Sequence, residues 1–251
     1  MILTTPEGNR FNTDIFYDIS IPITGDNNSP RAWYCDPVKI DPVMGNGFIG
    51  EVRLGGNVNF KNIFFNPHGN GTHTECLGHI SKEFNSINQH LKSFFGRALV
   101  LSLEGEDYFN QDYQVKDRIV RVNEIENKWV DGHYDIAVIR TLPNSKEKLT
   151  KDYSNQNPIY FEDKVADFLN AKGITHLMVD LPSVDREKDE GKLAFHHRFW
   201  EYPENPQYHK TITEFIFVKD EITDGVYFGN IQIAPFENDA SPSKILLFPY
   251  I

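Results

Sequence analysis

"FEDKVADFLNAKGITHLMVDLPS" (Phe161–Ser183) changes period partway along. Val165, Phe168 and Leu169 recur at helical spacing, and Gly173 stands where a helix would stop. The apolar run "ITHLMVDLPS" then ends in a polar turn and reads as a buried strand. A helix feeding a buried strand is the α/β signature, and the neighbouring stretches decide which kind. Upstream, "RALVLSLEG" (Arg97–Gly105) and "DIAVIRTL" (Asp135–Leu142) are apolar enough for buried strands. "DIFYDISIPI" (Asp14–Ile23) alternates as a strand does, and "GNGFIGEVRLGGNVNFKNIFFNP" reads as short strands parted by Gly-Asn turns. Downstream, "TITEFIFVKD" alternates again and "GVYFGNIQIAPF" is another strand. Strands outnumber helices, and strand and helix do not alternate steadily. The class is α/β, with a mixed sheet and few helices. No glycine-rich phosphate-binding motif is present. "NSKEKLTKDYSNQNP" (Asn144–Pro158) and "VDREKDEGK" (Val184–Lys192) read as polar surface loops too short for linkers, so residues 1–251 are read as one domain.

Composition narrows the function. With 39% apolar residues and nineteen phenylalanines, the chain can bury a sizeable core. A formal net charge of -11 repels phosphate backbones and anionic lipid, so neither nucleic acid nor membrane is the expected partner. Two cysteines, Cys35 and Cys76, make no disulfide framework, which suits a reducing compartment. With no signal-like N-terminus and no apolar span, the expected location is cytoplasmic.

The chemistry concentrates in "HGNGTHTECLGH" (His68–His79), which holds three of the nine histidines, a glutamate and a cysteine. Imidazole and carboxylate are the usual ligands of Zn²⁺, Mn²⁺ and Fe²⁺. His73 and Glu75 share a face on an extended backbone, whereas on a helix they would diverge by roughly 160°. His79 has the same parity and shares that face if the chain stays extended; His68 has the opposite parity. Gly69, Asn70 and Gly71 supply a bend that returns His68 to the same side. A metal site, a catalytic site and a polar loop all fit this pattern. Cys76, odd in parity to His73 and Glu75, reads as a small buried hydrophobe rather than a nucleophile. Further on, "FHHRFWEY" carries His196 and His197, of which one at most joins a given site if the segment is a strand. In "TITEFIF", Ile212, Glu214 and Ile216 share a strand face, so Glu214 is either an edge residue or a ligand in need of a partner.

The pattern Gly71-Thr72-His73-Thr74-Glu75, with His79 four beyond the acid, resembles the metal-dependent cyclase/hydrolase family of bacterial kynurenine formamidases and isatin hydrolases. "YDISIPI", "GRALVLSL", "YDIAVIRT", "GITHLMVDLPSVD", "HHRFW", "ITEFIF" and "APFENDASP" follow in the family's order, so the resemblance spans nearly the whole chain. It implies a swivelling β/β/α domain, a homodimer or larger homo-oligomer, and one or two divalent ions, zinc or manganese. The implied metal residues are His73, Glu75, His196 and Glu214, with His79 as general acid/base. The family places its first ligand four before His73, where this chain has Gly69; His68 is five before, and a one-residue bulge would restore it to the ligand set. Other departures are Glu75 in place of aspartate, Leu77 in place of proline, and "YPENPQYHKT", which widens the spacing between His196 and Glu214.

The implied reaction is hydrolysis of an amide, formamide or lactam-type C–N bond in a small molecule, with metal-activated water and a histidine acid/base. Asp18, Ser183 and Asp185 are candidates to orient ligands or substrate. Trp33, Tyr34, Phe199 and Trp200 are candidates for an aromatic pocket wall. The alternatives are a non-catalytic metal or small-ligand binding protein on the same fold, a lactone hydrolase or lyase, and a cysteine hydrolase.

Overall fold

The apolar runs form the staves of a barrel. The computed structural model describes residues 1–26 and 28–251. Seven strands carry the fold: β1 (His73–Cys76), β2 (Phe95–Leu103), β3 (Ile136–Thr141), β4 (His176–Val179), β5 (Thr211–Glu214), β6 (Gly225–Ile233) and β7 (Ala240–Pro249). Their order is β6-β2-β3-β4-β5-β1-β7, and β7 pairs back onto β6, so the mixed sheet closes. Strands β2 to β5 run parallel; β1, β6 and β7 join them antiparallel. Parallel neighbours need long crossovers, and each of the three carries a helix. These are α2 (Val122–Lys128), α3 (Lys164–Ala171) and α4 (Ala194–Phe199); a single turn, α1 (Ile87–His90), follows β1. As the period of the opening stretch requires, α3 buries Val165, Ala166 and Leu169, and Gly173 ends it in the left-handed region at φ 78°.

Strand parity sorts the core into two. Ala98, Val100, Ile136, Val138, Met178, Ile245 and Leu247 fill the lumen. Leu99, Leu101, Ala137, Ile139, Leu177 and Val179 face outward, against Ile125 of α2, Leu169 of α3 and Phe195 and Phe199 of α4. Because Leu77 and Ile212 belong to this outer layer, so do the same-parity His73, Glu75 and Glu214. No helix among the described residues is long and apolar enough to cross a membrane.

Four local expectations change. Only Tyr17–Asp18 of Asp14–Ile23 pairs as a strand, on β7; beyond it the backbone leans on single contacts, such as Ile19 N–H to the Ile245 carbonyl. The alternation of "TITEFIF" breaks at Phe215, whose φ is 54°, so Ile212 lies in the outer layer and Ile216 in the lumen. The "FHHRFW" histidines sit on α4 rather than a strand. The stretch Val184–Lys192 is not wholly surface, since Val184 and Asp185 are buried.

Candidate metal centre

Two strand ends, one helix and two loops bring the site together. β1 presents His73 and Glu75 on its outer face, and the antiparallel register sets Glu214 of β5 opposite His73. The lateral imidazole–carboxylate distance there is 3.4 Å, from His73 Nε2 to Glu214 Oε2. α4 lays His196 over this pair, with Nε2 3.2 Å from Glu75 Oε1. The neighbouring His197 turns away to the Tyr202 carbonyl. His68 and His79 arrive from the two ends of β1. His68 stands in a turn closed by Asn66, whose Oδ1 accepts from the amides of His68 and Gly69. His68 Nδ1 lies 3.0 Å from Glu75 Oε2. His79 reaches the same oxygen at 3.7 Å from a 3₁₀ turn, Leu77–His79, and not from the extended backbone its parity presumed. Two sets of candidate ligand atoms result, His73–Glu75–Glu214 and His68–Glu75–His79, with Glu75 in both.

His68 enters by a turn rather than by a strand bulge, and the packing shows why it is not one residue later. A Cβ on Gly69 would meet Cys35 Sγ at 2.4 Å. The position that would carry the family's histidine is therefore filled from the other side.

The far nitrogens are anchored. His196 Nδ1 is 2.5 Å from Asp185 Oδ2, and the same carboxylate accepts from the amides of Phe195 and His196. His68 Nε2 is 2.7 Å from Asp239 Oδ2, and His73 Nδ1 is 3.1 Å from the Gly71 carbonyl. With one nitrogen fixed outward, each ring turns the other inward, the usual arrangement of metal-binding histidines. Three of the nine buried side-chain atoms that lack a hydrogen-bond partner among the described residues fall here: His68 Nδ1, His73 Nε2 and Glu214 Oε1. Such atoms are costly to bury unless something completes them. Two ligand atoms bound to one tetrahedral zinc stand about 3.3 Å apart. The inward contacts of 3.0–3.7 Å straddle that spacing, whereas the anchoring contacts at 2.5 and 2.7 Å are hydrogen bonds. The donor set fits a divalent cation.

Electrostatics agree. Burial opposes ionisation of Glu75, but the imidazoles of His79, His196 and His68 outweigh it and hold the carboxyl well below its usual range. Burial and then the adjacent Glu75 push Glu214 up. Burial disfavours a charged His68, yet Asp239 and Glu75 push it up to about 10. Protons held in this way are displaced when a cation takes the same lone pairs.

Beside the ligand atoms opens a cavity of about 180 Å³, lined by Trp33, His68, His79, Ser183, Leu193, His196 and Glu214 among others. Trp33, held at φ 60°, thus stands in the wall. Trp200 does not: it is fully buried, donates its indole N–H to the Lys210 carbonyl, and backs His196 at 5.4 Å between ring centres. Phe199 is core and Tyr34 is exposed. Ser183 lines the cavity and accepts from the Asp185 amide. Asp18 is not brought to the group; it pairs with Lys244 and caps the Ser20 amide. Cys76 points into the lumen layer, away from the candidate site, and burial pushes its thiol up to about 12, which disfavours the thiolate a nucleophile needs. Asp239 escaped the sequence reading. Its only signal was position, an acid in the turn "ENDASP" entering the closing strand.

The family model Cyclase, described as "Putative cyclase", matches residues 17–186. A kynurenine formamidase of Bacillus cereus is 25% identical over 240 residues, covering 94% of this chain and 99% of that protein. Among solved structures, a "potential metal-dependent hydrolase with cyclase activity" superposes with a TM-score of 0.66 at 17% identity, over 93% of this chain and 97% of the other. Isatin hydrolase A from Labrenzia aggregata, bound to benzyl benzoate, gives 0.66 at 12% identity, over 93% of each chain.

Proposed function

The chain belongs to the Cyclase family, and on that premise we propose that it is a metal-dependent hydrolase of amide, formamide or lactam-type C–N bonds in small molecules. The reading is supported by relatives that are a kynurenine formamidase and an isatin hydrolase. The observation that carries it is the convergence on Glu75 of buried, partnerless atoms of His68, His73 and Glu214. His68, His73, Glu75, His196 and Glu214 would hold one or two divalent ions, zinc or manganese; His79, although its ring lies within the second set of atoms, is kept for proton transfer. A bound cation of this kind supplies Lewis acidity, polarising the scissile carbonyl and acidifying water.

The remaining work falls to the chain's own groups. His79 lines the cavity with its side chain 30% exposed, and its Nδ1 faces both Glu75 and Asp239 at 3.7 and 3.6 Å. Its Nε2 is thus the nitrogen left to take a proton during attack and return it to the leaving nitrogen. Trp33 offers a flat wall for the substrate and Ser183 a hydroxyl at the rim. A cavity of about 180 Å³ selects small molecules over chains. We also infer a homodimer built on the apolar arm that precedes the site, and a cytoplasmic setting.

Elemental analysis of untagged protein, paired with a panel of N-formyl, lactam and lactone compounds, tests the reading. The expected result is close to one or two transition-metal equivalents per chain and turnover of a C–N substrate. His79→Ala should keep the metal and lose about 10²–10⁴-fold in turnover. Less than about a tenth of an equivalent after reconstitution would sink the metal assignment. Metal without turnover of any compound in the panel would favour a binding protein.

A further inference from the structure

Granting that reading, His68 poses a problem of its own. It lies five residues before His73, and in this fold nothing on its own segment fixes which ring nitrogen faces the ligand group. The fixing group comes from the far end of the chain. Asp239 stands in the turn that leads into β7, whose register sets the following residue, Ala240, opposite Glu75. Its Oδ2 lies 2.7 Å from His68 Nε2, across a sequence separation of 171 residues. An acceptor on Nε2 holds a proton there, so the inward Nδ1, 3.0 Å from Glu75 Oε2, is the nitrogen whose proton a cation would displace. Among the described residues, Nδ1 makes this close contact but no hydrogen bond of good geometry.

The same construction is repeated with the ring reversed on the other side of Glu75. There Asp185 anchors His196 Nδ1 and Nε2 faces Glu75 Oε1. Two aspartate-backed imidazoles therefore bracket the two oxygens of one buried carboxylate. The 2.7 Å contact is too short for two atoms bound to one tetrahedral ion, which stand about 3.3 Å apart, so Asp239 is a partner of His68 and not a fellow ligand on that side.

We propose that Asp239 is a positioning residue that makes a Nδ1 metal ligand of the off-register His68, in place of the histidine that Gly69 does not supply. The test uses the full chain with Zn²⁺ alone, measured by competition against a chromophoric chelator. Asp239→Asn and His68→Ala should each weaken the same binding event by about 10- to 100-fold. The double variant should bind within about twofold of His68→Ala, because Asp239 acts through that ring. Long-range ¹⁵N spectra of zinc-loaded wild type need no variant: His68 should show a protonated Nε2 and a metal-shifted Nδ1. A wild-type affinity retained in Asp239→Asn, a double variant tenfold weaker than His68→Ala, or a His68 ring bound through Nε2 would each overturn the proposal. A wild type that binds no zinc would overturn the hydrolase reading along with it, whereas zinc-competent wild type with any of those three results overturns this proposal alone.

Discussion

Glu75 is the residue on which the site turns. It is buried near the end of a four-residue strand, and both of its oxygens face imidazoles, so it belongs to both candidate sets. Residues without chemistry shape the site as firmly. Gly69 is tightly packed where it stands, since a Cβ there would force the Cys35 side chain to shift. Gly69→Ala should therefore destabilise the protein by about 1–3 kcal/mol, the usual cost of overpacking. Cys35→Ala should recover part of that loss, as read from denaturant midpoints of the two single variants and the double. Equal losses in both backgrounds would mean that some other contact sets the constraint.

At the scale of elements, α4 is a six-residue helix with little reason to form alone. Asp185 holds its first turn by accepting from the amides of Phe195 and His196, and the same carboxylate orients the His196 ring. Folding of the helix and orientation of the His196 ring thus rest on one carboxylate. Asp185→Ala loses a cap, at about 1 kcal/mol, and leaves the buried Nδ1 of His196 unpaired, at about 1–3 kcal/mol more. The expected outcome is a lower unfolding free energy together with at least tenfold weaker zinc binding. A change in stability with unaltered metal affinity would reduce Asp185 to a helix cap.

Over the whole molecule, one arm outside the barrel concentrates exposed apolar side chains. The arm formed by Lys39–Pro42 paired with Lys61–Phe64, and the hairpin between them, exposes Met44, Phe48, Leu54, Phe60, Ile63 and Phe64. So many apolar side chains on one projecting arm are unusual for a monomer, and we expect a second copy to cover them. Light scattering at micromolar concentration should give about twice the chain mass of 29.0 kDa. Phe60→Asp combined with Ile63→Asp should give the single chain mass. A wild type that scatters as a monomer would remove the dimer.

The sequence by itself determined what is local. Period marked the helix over Lys164–Ala171 and the buried strands. Two-residue parity placed His73 and Glu75 on one face and Cys76 on the other, because alternation follows from the backbone of a strand whatever surrounds it. Tertiary structure decided the rest. Closure of the sheet through β6 and β7 and the left-handed Phe215 that ends the alternation after Glu214 depend on contacts between distant segments. So does the choice of nitrogen on each histidine: Asp185 anchors His196 from 11 residues away and Asp239 anchors His68 from 171. A ring's orientation is set by the partner of its far nitrogen, and only the closed barrel brings that partner within reach.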